Sequence, residues 1–281
     1  MSIVGADILC ALFTEIVHRI RSYRYSFSNK HVLITGGSSG LGLELAKKIA
    51  SEKASVTIVA RNKGLLKKAK AEIEEYCKQS GLMSQQVCIE CADVCSRDEL
   101  STAVCNAVNT NGAIDVVICN AGMAKTGYAF GQEIEDYQAS IDINYMGTVN
   151  TLFCTVPDMI RRNRGEIYLV GSTCSMLSYM GYTAYAPSKY AIKGLADGLR
   201  MELDRHNIQV GCIYPPNMDT PCLEKENKTK PEEGLFVEKY FESLFTPQLI
   251  AQRVIQRIKR VGTDFMIDDS IVGRASHLLR H

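Results

Sequence analysis

The sequence predicts an α/β fold, a doubly wound parallel sheet of about seven strands with helices on both faces. Three observations carry this. From residue 31 onward, short β-branched apolar runs alternate with longer, charged, amphipathic stretches. The short runs are apolar almost throughout, as strands covered on both faces are. A glycine-rich turn, residues 35–42, falls between the first run and the stretch that follows it. In sheets of this kind, ligands sit beyond the carboxyl ends of the strands.

Residues 31–34 read as the first strand and 42–51 as the helix after it. The second strand is 55–60, followed by a long charged helix at 63–79. Strand 86–91 precedes helix 98–110, and 114–119 is the fourth strand. Two long helices surround Asn144 and Lys189, with strand 166–170 between them. Residues 209–213 form the sixth strand and 264–267 a short edge strand. Buried runs alternating with helices at this spacing are crossover units, which wind helices onto both faces.

A chain of 281 residues that is 46% hydrophobic can bury a full core, and it reads as one domain over 30–281 with a lid at about 216–246. Thirty-two basic against 31 acidic residues leave a net charge of +1, which offers no field for nucleic acid. Eleven scattered cysteines read as reduced thiols, not a disulfide framework. Cys88, Cys91 and Cys95 lack a histidine and a fourth ligand, so no metal site is expected.

Residues 1–29 differ from the rest. Val4, Ile8, Leu12, Phe13, Ile16 and Ile20 fall on one helical face, with Asp7, Thr14 and His18 opposite. Asp7 and Glu15 bracket too short an uncharged run to span a bilayer, which takes about 20 apolar residues. Arg19, Arg21 and Arg24 follow, with Tyr23 and Tyr25. Two readings stay open: a helix lying on an anionic membrane surface, or one packed against protein.

The turn Thr35-Gly36-Gly37-Ser38-Ser39-Gly40-Leu41-Gly42 has the strand–turn–helix setting of a dinucleotide site. Gly36, Gly40 and Gly42 allow the tight turn and close backbone approach. The amides around Ser38, Ser39 and Leu41 then face a pyrophosphate at the helix N-terminus. The fold is in this sense Rossmann-like. The acid that would hold an NAD ribose about 20 residues on is missing. Arg61 stands there, a charged fork suited to the 2′-phosphate, so the expected cofactor is NADPH.

Downstream, Tyr185 and Lys189 are four apart and share a helix face. A phenol has an unperturbed pKa of about 10, and an adjacent ammonium is expected to lower it. With Ser172 to orient the group being protonated, this is chemistry for hydride transfer coupled to proton transfer at a carbonyl or alcohol.

Taken together, these residues resemble the short-chain dehydrogenase/reductase family, from His31 to about Ile267. Gly36, Gly40 and Gly42 match its TGxxxGxG turn, and Asn120-Ala121-Gly122 its NAG element. Asp93-Val94 match the pair that holds adenine. Asn144, Ser172, Tyr185 and Lys189 match its catalytic tetrad. The resemblance implies that Tyr185 is the general acid, that Lys189 binds the nicotinamide ribose and that Ser172 bonds the substrate oxygen. Asn144 would hold a relay water, and Pro215 and Thr220 would flank the cofactor. It also implies a homo-oligomer through the two long helices around Asn144 and Lys189.

Within the family, Tyr214-Pro215-Pro216-Asn217-Met218-Asp219-Thr220-Pro221 and Glu226-Asn227-Lys228-Thr229-Lys230-Pro231 resemble the subgroup that reduces 3-ketodihydrosphingosine. A long-chain keto sphingoid base is the substrate this implies, with residence on the cytosolic face of the endoplasmic reticulum. That subgroup usually carries membrane-embedded segments. Here neither end is apolar enough to span, so peripheral contact through residues 3–20 or the lid is expected. Leu235, Phe236, Tyr240, Phe241, Leu244 and Phe245 are expected to gather over the site, to clasp an alkyl chain or to pack the lid. Two alternatives are a reductase of a steroid or retinoid carbonyl, sharing the tetrad, and a non-catalytic dinucleotide-binding scaffold, which would have no use for all four groups.

Overall fold

A computed structural model describes residues 25–81, 86–241, 244–260 and 265–266, with the backbone alone given for 237–241 and 265–266. The N-terminal segment at 3–20 lies outside the described residues, as do the side chains of Tyr240 and Phe241.

Seven parallel strands form one sheet: β1 (His31–Thr35), β2 (Ser55–Ala60), β3 (Val87–Cys91), β4 (Val116–Cys119), β5 (Gly165–Val170), β6 (Ile208–Tyr214) and the two-residue edge strand β7 (Phe265–Met266). Their order is β3-β2-β1-β4-β5-β6-β7. The winding reverses between β1 and β4, where Thr35 lies beside Cys119. At such a switch point the loops leaving two neighbouring strands part, and a crevice opens.

Alternate residues of each strand feed opposite layers. Val32, Ile34, Val56, Ile58 and Ile118 face helices α1 (Gly40–Ala50), α2 (Lys63–Gln79) and α9 (Pro247–Arg260). Leu33, Val59, Val117, Leu169 and Val210 face α3 (Arg97–Asn111), α5 (Gly147–Arg162) and α6 (Tyr185–Leu203). Between them lie the short α4 (Ile134–Ser140), and in the lid α7 (Pro221–Asn227) and α8 (Glu232–Phe241).

Local chemistry sets the helix limits. Asn62 caps α2 by accepting from the Leu65 amide at 2.9 Å, its apolar face is Leu66, Ala69, Ile73 and Cys77, and Gly81 leaves it with φ +73°. That is a side-chain N-cap, a core-facing stripe and a left-handed exit. Ser96 does the same for α3, with Asp98 and Glu99 in its first turn.

Most boundaries fall within a residue of the sequence expectation, and three features depart further. Helix α1 begins at Gly40, inside the glycine turn. Strand β4 begins at Val116, although the Asp115 amide still donates to the His31 carbonyl and its carbonyl accepts from the Glu166 amide, both at 2.9 Å, while its carboxylate accepts from the His31 amide and pairs with Arg162 and Arg164. The long helix around Asn144 is broken: Ile141–Met146 is π-helical, between α4 and α5. An extra residue per turn rotates the side chains that follow, a device common at functional sites.

His31 shows how tightly the sheet floor is closed. Its buried ring reaches the Gly112 carbonyl through Nδ1 (2.7 Å) and Thr57 Oγ1 through Nε2 (2.9 Å). Burial holds its pKa below the ordinary 6.5. At this same end, opposite the carboxyl ends of the strands, Tyr25 and Lys30 both bond Glu166 at the start of β5. The chain therefore joins the domain away from the crevice.

Candidate active site

The crevice begins at the glycine turn. Gly36 and Gly40 have φ of +67° and +55°, the left-handed region glycine enters at no steric cost. A Cβ on Gly42 would stand 2.4 Å from the Gly36 carbonyl oxygen and 2.5 Å from Asn120 Nδ2. The turn is closed across the switch point by Asn120, whose Nδ2 donates to the carbonyls of Thr35 (3.1 Å) and Gly36 (3.2 Å). Thr35 Oγ1 in return accepts from the amides of Asn120 and Ala121, both at 3.1 Å. Ser39, at the N-cap of α1, makes no side-chain capping bond, and no acid lies in the first turn. The first amides of α1 thus keep their donors for an anion. A dinucleotide's pyrophosphate fits this glycine cradle.

At the rim of the crevice Arg61 is exposed, with Nη1 3.7 Å from Asp93 Oδ2. An exposed pair of this length is worth well under about 1 kcal/mol, so Arg61 is free to turn to a phosphate. Asp93 Oδ1 accepts from the Cys95 amide at 2.9 Å. Val94 is nearly buried: a Cβ on Gly147 would meet it at 2.6 Å, and its carbonyl accepts from Asn150. Val94 thus braces α5 as well as flanking the crevice. Thr220 caps α7 through the Leu223 amide and lies 3.3 Å from where a Gly40 Cβ would be. Pro215 is buried and accepts from the Thr173 amide at 3.3 Å.

Farther in, the structure brings the four tetrad residues together. Ser172 leaves β5 and caps a 3₁₀ turn, accepting from the Cys174 amide at 3.1 Å. Tyr185 opens α6 and is half-buried. One turn on, buried Lys189 lies 5.8 Å from the centre of the Tyr185 ring and donates to the Val170 carbonyl at 2.9 Å. Asn144, in the π-helical segment, donates from Nδ2 to Ser188 Oγ (2.8 Å) and the Met123 carbonyl (3.0 Å). Its Oδ1 accepts from the Met123 amide at 2.8 Å. Ser188 Oγ donates to the Tyr185 carbonyl, which ties the π segment to the first turn of α6. Gly122 is pinned between Asn144 Oδ1 and Lys189 Nζ, at 3.0 and 3.5 Å from a Cβ there.

One electrostatic expectation is corrected. Burial pushes the Tyr185 phenol well above its ordinary pKa of 10. The Cys174 sulfur, Glu226 and Cys222 add to the rise, and the Ser172 hydroxyl opposes it. Lys189 does not pull it down, because its ammonium is aimed at the Val170 carbonyl and is itself burdened by desolvation. Burial drives Lys189 down to about 8, against smaller raising effects from Cys212, Cys222 and Cys174. The lid expectation is also met only in part. Leu235, Phe236 and Leu244 are exposed. Phe245 packs beside the α1/α9 core under the Arg253 guanidinium, away from the crevice.

Sequence reasoning passed over Thr35, Met123 and Ser188, which hold the site by backbone and short hydroxyl contacts. Only Thr35 had a signal, its place heading the glycine turn.

The family profile of the short chain dehydrogenases matches residues 30–231. The chain belongs to that family. It is 34% identical over 228 residues to 3-ketodihydrosphingosine reductase of Bos taurus, covering 80% of this chain and 67% of that protein. It is 35% identical over 247 residues to 3-dehydrosphinganine reductase TSC10A of Arabidopsis thaliana, covering 87% and 72%. Among solved structures, levodione reductase superposes with a TM-score of 0.78 at 24% identity, over 89% of this chain and 99% of that one, a likeness of fold. The chain is an oxidoreductase whose site takes an NAD(P) dinucleotide.

The Lys189 value sets a pH limit. The ammonium is present below about 8 and lost above it. Since kcat/KM reports the free enzyme, kcat/KM for carbonyl reduction should fall as pH rises through about 8. Initial rates from pH 6 to 10 measure this, and a flat profile beyond 9 would show that the Lys189 charge is not needed.

Proposed function

We propose that this protein reduces the 3-keto group of 3-ketodihydrosphingosine to the alcohol, using NADPH, in sphingolipid synthesis. The observation that carries this is the junction of Ser172, Tyr185, Lys189 and Asn144 at the switch-point crevice, in a chain at 34–35% identity to reductases of that name.

When bound, NADPH supplies the hydride that reduces the carbonyl carbon. Tyr185 gives its proton to the carbonyl oxygen, a role its raised pKa suits because the phenol stays protonated until the moment of transfer. Ser172, at the end of β5, orients the same oxygen and stabilises the charge that develops on it. Lys189 lies a turn below Tyr185, placed to hold the nicotinamide ribose. Asn144, through Ser188 and Met123, fixes the floor of the crevice and is the place for a water that returns protons. Arg61 takes the 2′-phosphate; Gly36, Ser38, Ser39, Gly40, Leu41 and Gly42 form the pyrophosphate cradle.

The substrate's alkyl chain has an apolar rim to lie on. Tyr128, Met176, Met180, Leu235 and Phe236 are exposed around the crevice mouth. They are drawn together where the Tyr128 hydroxyl donates to Glu233 and where Gly234 sits against the Met180 carbonyl. Among the described residues no helix is long and apolar enough to cross a membrane. The reading is therefore peripheral attachment at the cytosolic face of the endoplasmic reticulum, with the mouth toward the lipid. Alkaline carbonate should strip the protein from isolated membranes; retention in the pellet would make it integral.

Wild-type protein should oxidise NADPH in the presence of 3-ketosphinganine, followed at the nicotinamide absorbance. Tyr185→Phe should lose about 10²–10⁴-fold in turnover, the range for a general acid, with NADPH affinity kept. Turnover surviving in Tyr185→Phe would place the proton donor elsewhere. The cofactor choice has its own test. A carboxylate repels the 2′-phosphate, so the double variant Ala60→Asp/Arg61→Ala should prefer NADH, whereas unaltered NADPH selectivity would remove Arg61 from the role.

A further inference from the structure

The segment Glu226–Pro231, noted in the sequence only as a signature, builds a buried polar knot beside the catalytic tyrosine. The Lys230 side chain is fully buried and that of Glu226 is 10% exposed, with Nζ 2.9 Å from Oε1. The hydroxyl of Tyr182, itself 7% exposed, donates to the same Oε1. A buried charge pair is costly unless geometry and hydrogen bonds complete it, and here a second bond to the carboxylate comes from Tyr182. Around it, Thr126 Oγ1 donates to the Glu226 carbonyl at 2.8 Å. The Pro231 ring fills the place of a Cβ on Gly181, whose φ is +89°.

Tyr182 leads directly into the reaction. Its carbonyl accepts from the amides of Tyr185 (3.1 Å) and Ala186 (2.8 Å), the first turn of α6. Its ring centre lies 6.0 Å from that of Tyr185. One residue therefore joins the lid helix α7, through its hydroxyl, to the backbone and the ring of the proton donor, through its carbonyl and its ring.

We propose that Tyr182 and Glu226 are positioning residues: the lid carboxylate, through the Tyr182 hydroxyl, fixes the first turn of α6 and so the place of the Tyr185 hydroxyl. The catalytic crevice is thereby assembled only when α7 is seated. The inference rests on reading Tyr185 as the proton donor. It takes an adjustment of the lid to the reacting atom through two contacts, and misplacement there by about 1 Å costs on the order of a hundredfold in rate.

Tyr182→Phe keeps the ring and removes the link. It should lower kcat by about ten- to a hundredfold, while KM and the NADPH dissociation constant stay within about twofold, the pattern of a lost transition-state alignment. Glu226→Leu, made together with Lys230→Met so that no ammonium is stranded, removes the acceptor and should do the same, and its double variant with Tyr182→Phe should be no worse than the poorer of the two, since both cut one link. In hydrogen exchange without substrate, the amides of 179–186 and 221–231 should speed up together in Tyr182→Phe, with those of 36–42 unchanged. Wild-type kcat in Tyr182→Phe, multiplying losses in the double variant, or faster exchange in only one of the two segments would overturn the link. If the wild type turns over another carbonyl and not 3-ketosphinganine, the substrate reading fails. The link is then decided by the exchange data and by kcat on that carbonyl.

Discussion

Everything at the mouth of this sheet depends on how closely two backbones approach at the switch point. Thr35 and Gly36 on one side and Asn120 and Ala121 on the other share four hydrogen bonds of 3.1–3.2 Å. There is no room for a Cβ on Gly42. The bonds satisfy groups that would each cost about 1–3 kcal/mol if left buried and unpaired. They also fix where β4 ends, and the loop after β4 carries Met123, which holds Asn144. Asn144 holds Ser188, and Ser188 holds the first turn of α6. The dinucleotide cradle and the proton donor are thus placed by one continuous chain of contacts that starts at a glycine.

Much of this was legible in the residues because it is local. Helix α2 runs over the expected 63–79, since its cap at Asn62, its apolar stripe and its exit at Gly81 all lie within the segment itself. The six longer strands were legible from unbroken apolar runs, and the tetrad from its order and spacing. What failed was what depends on partners distant in sequence. The π-helical turn at Ile141–Met146 forms where Asn144 meets the Met123 backbone. Asp115 sits at the foot of β4 with its carboxylate turned to the β1 amide and two arginines, partners far off in sequence. Phe245 looks like part of a lid and instead packs under Arg253 beside the core. Tyr182 carries no motif; only its fold neighbours, Glu226 and Lys230, give it a role.

The misjudged tyrosine shows the same limit in electrostatic form. Spacing on a helix says that Lys189 is near Tyr185, but not where the ammonium points. It points to the Val170 carbonyl, and both groups are desolvated. Burial disfavours whichever form is charged, so it raises the phenol and lowers the ammonium. The two shifts act in opposite directions on proton availability: the phenol holds its proton firmly, while the lysine holds its charge conditionally.

This asymmetry bears on direction. To oxidise an alcohol, the site must first hold a phenolate, which the desolvated surroundings, with Glu226 and Cys222 nearby, oppose. To reduce a ketone, it needs a neutral phenol beside an oxygen that becomes anionic as hydride arrives. That developing alkoxide is the stronger base of the two, so the proton moves toward it without prior ionisation of Tyr185. The proposed contact of Arg61 with a 2′-phosphate agrees with that use. The burial that makes the tyrosine a poor base therefore keeps its proton in place for a carbonyl oxygen, and Glu226 and Cys222 from the lid add to that hold.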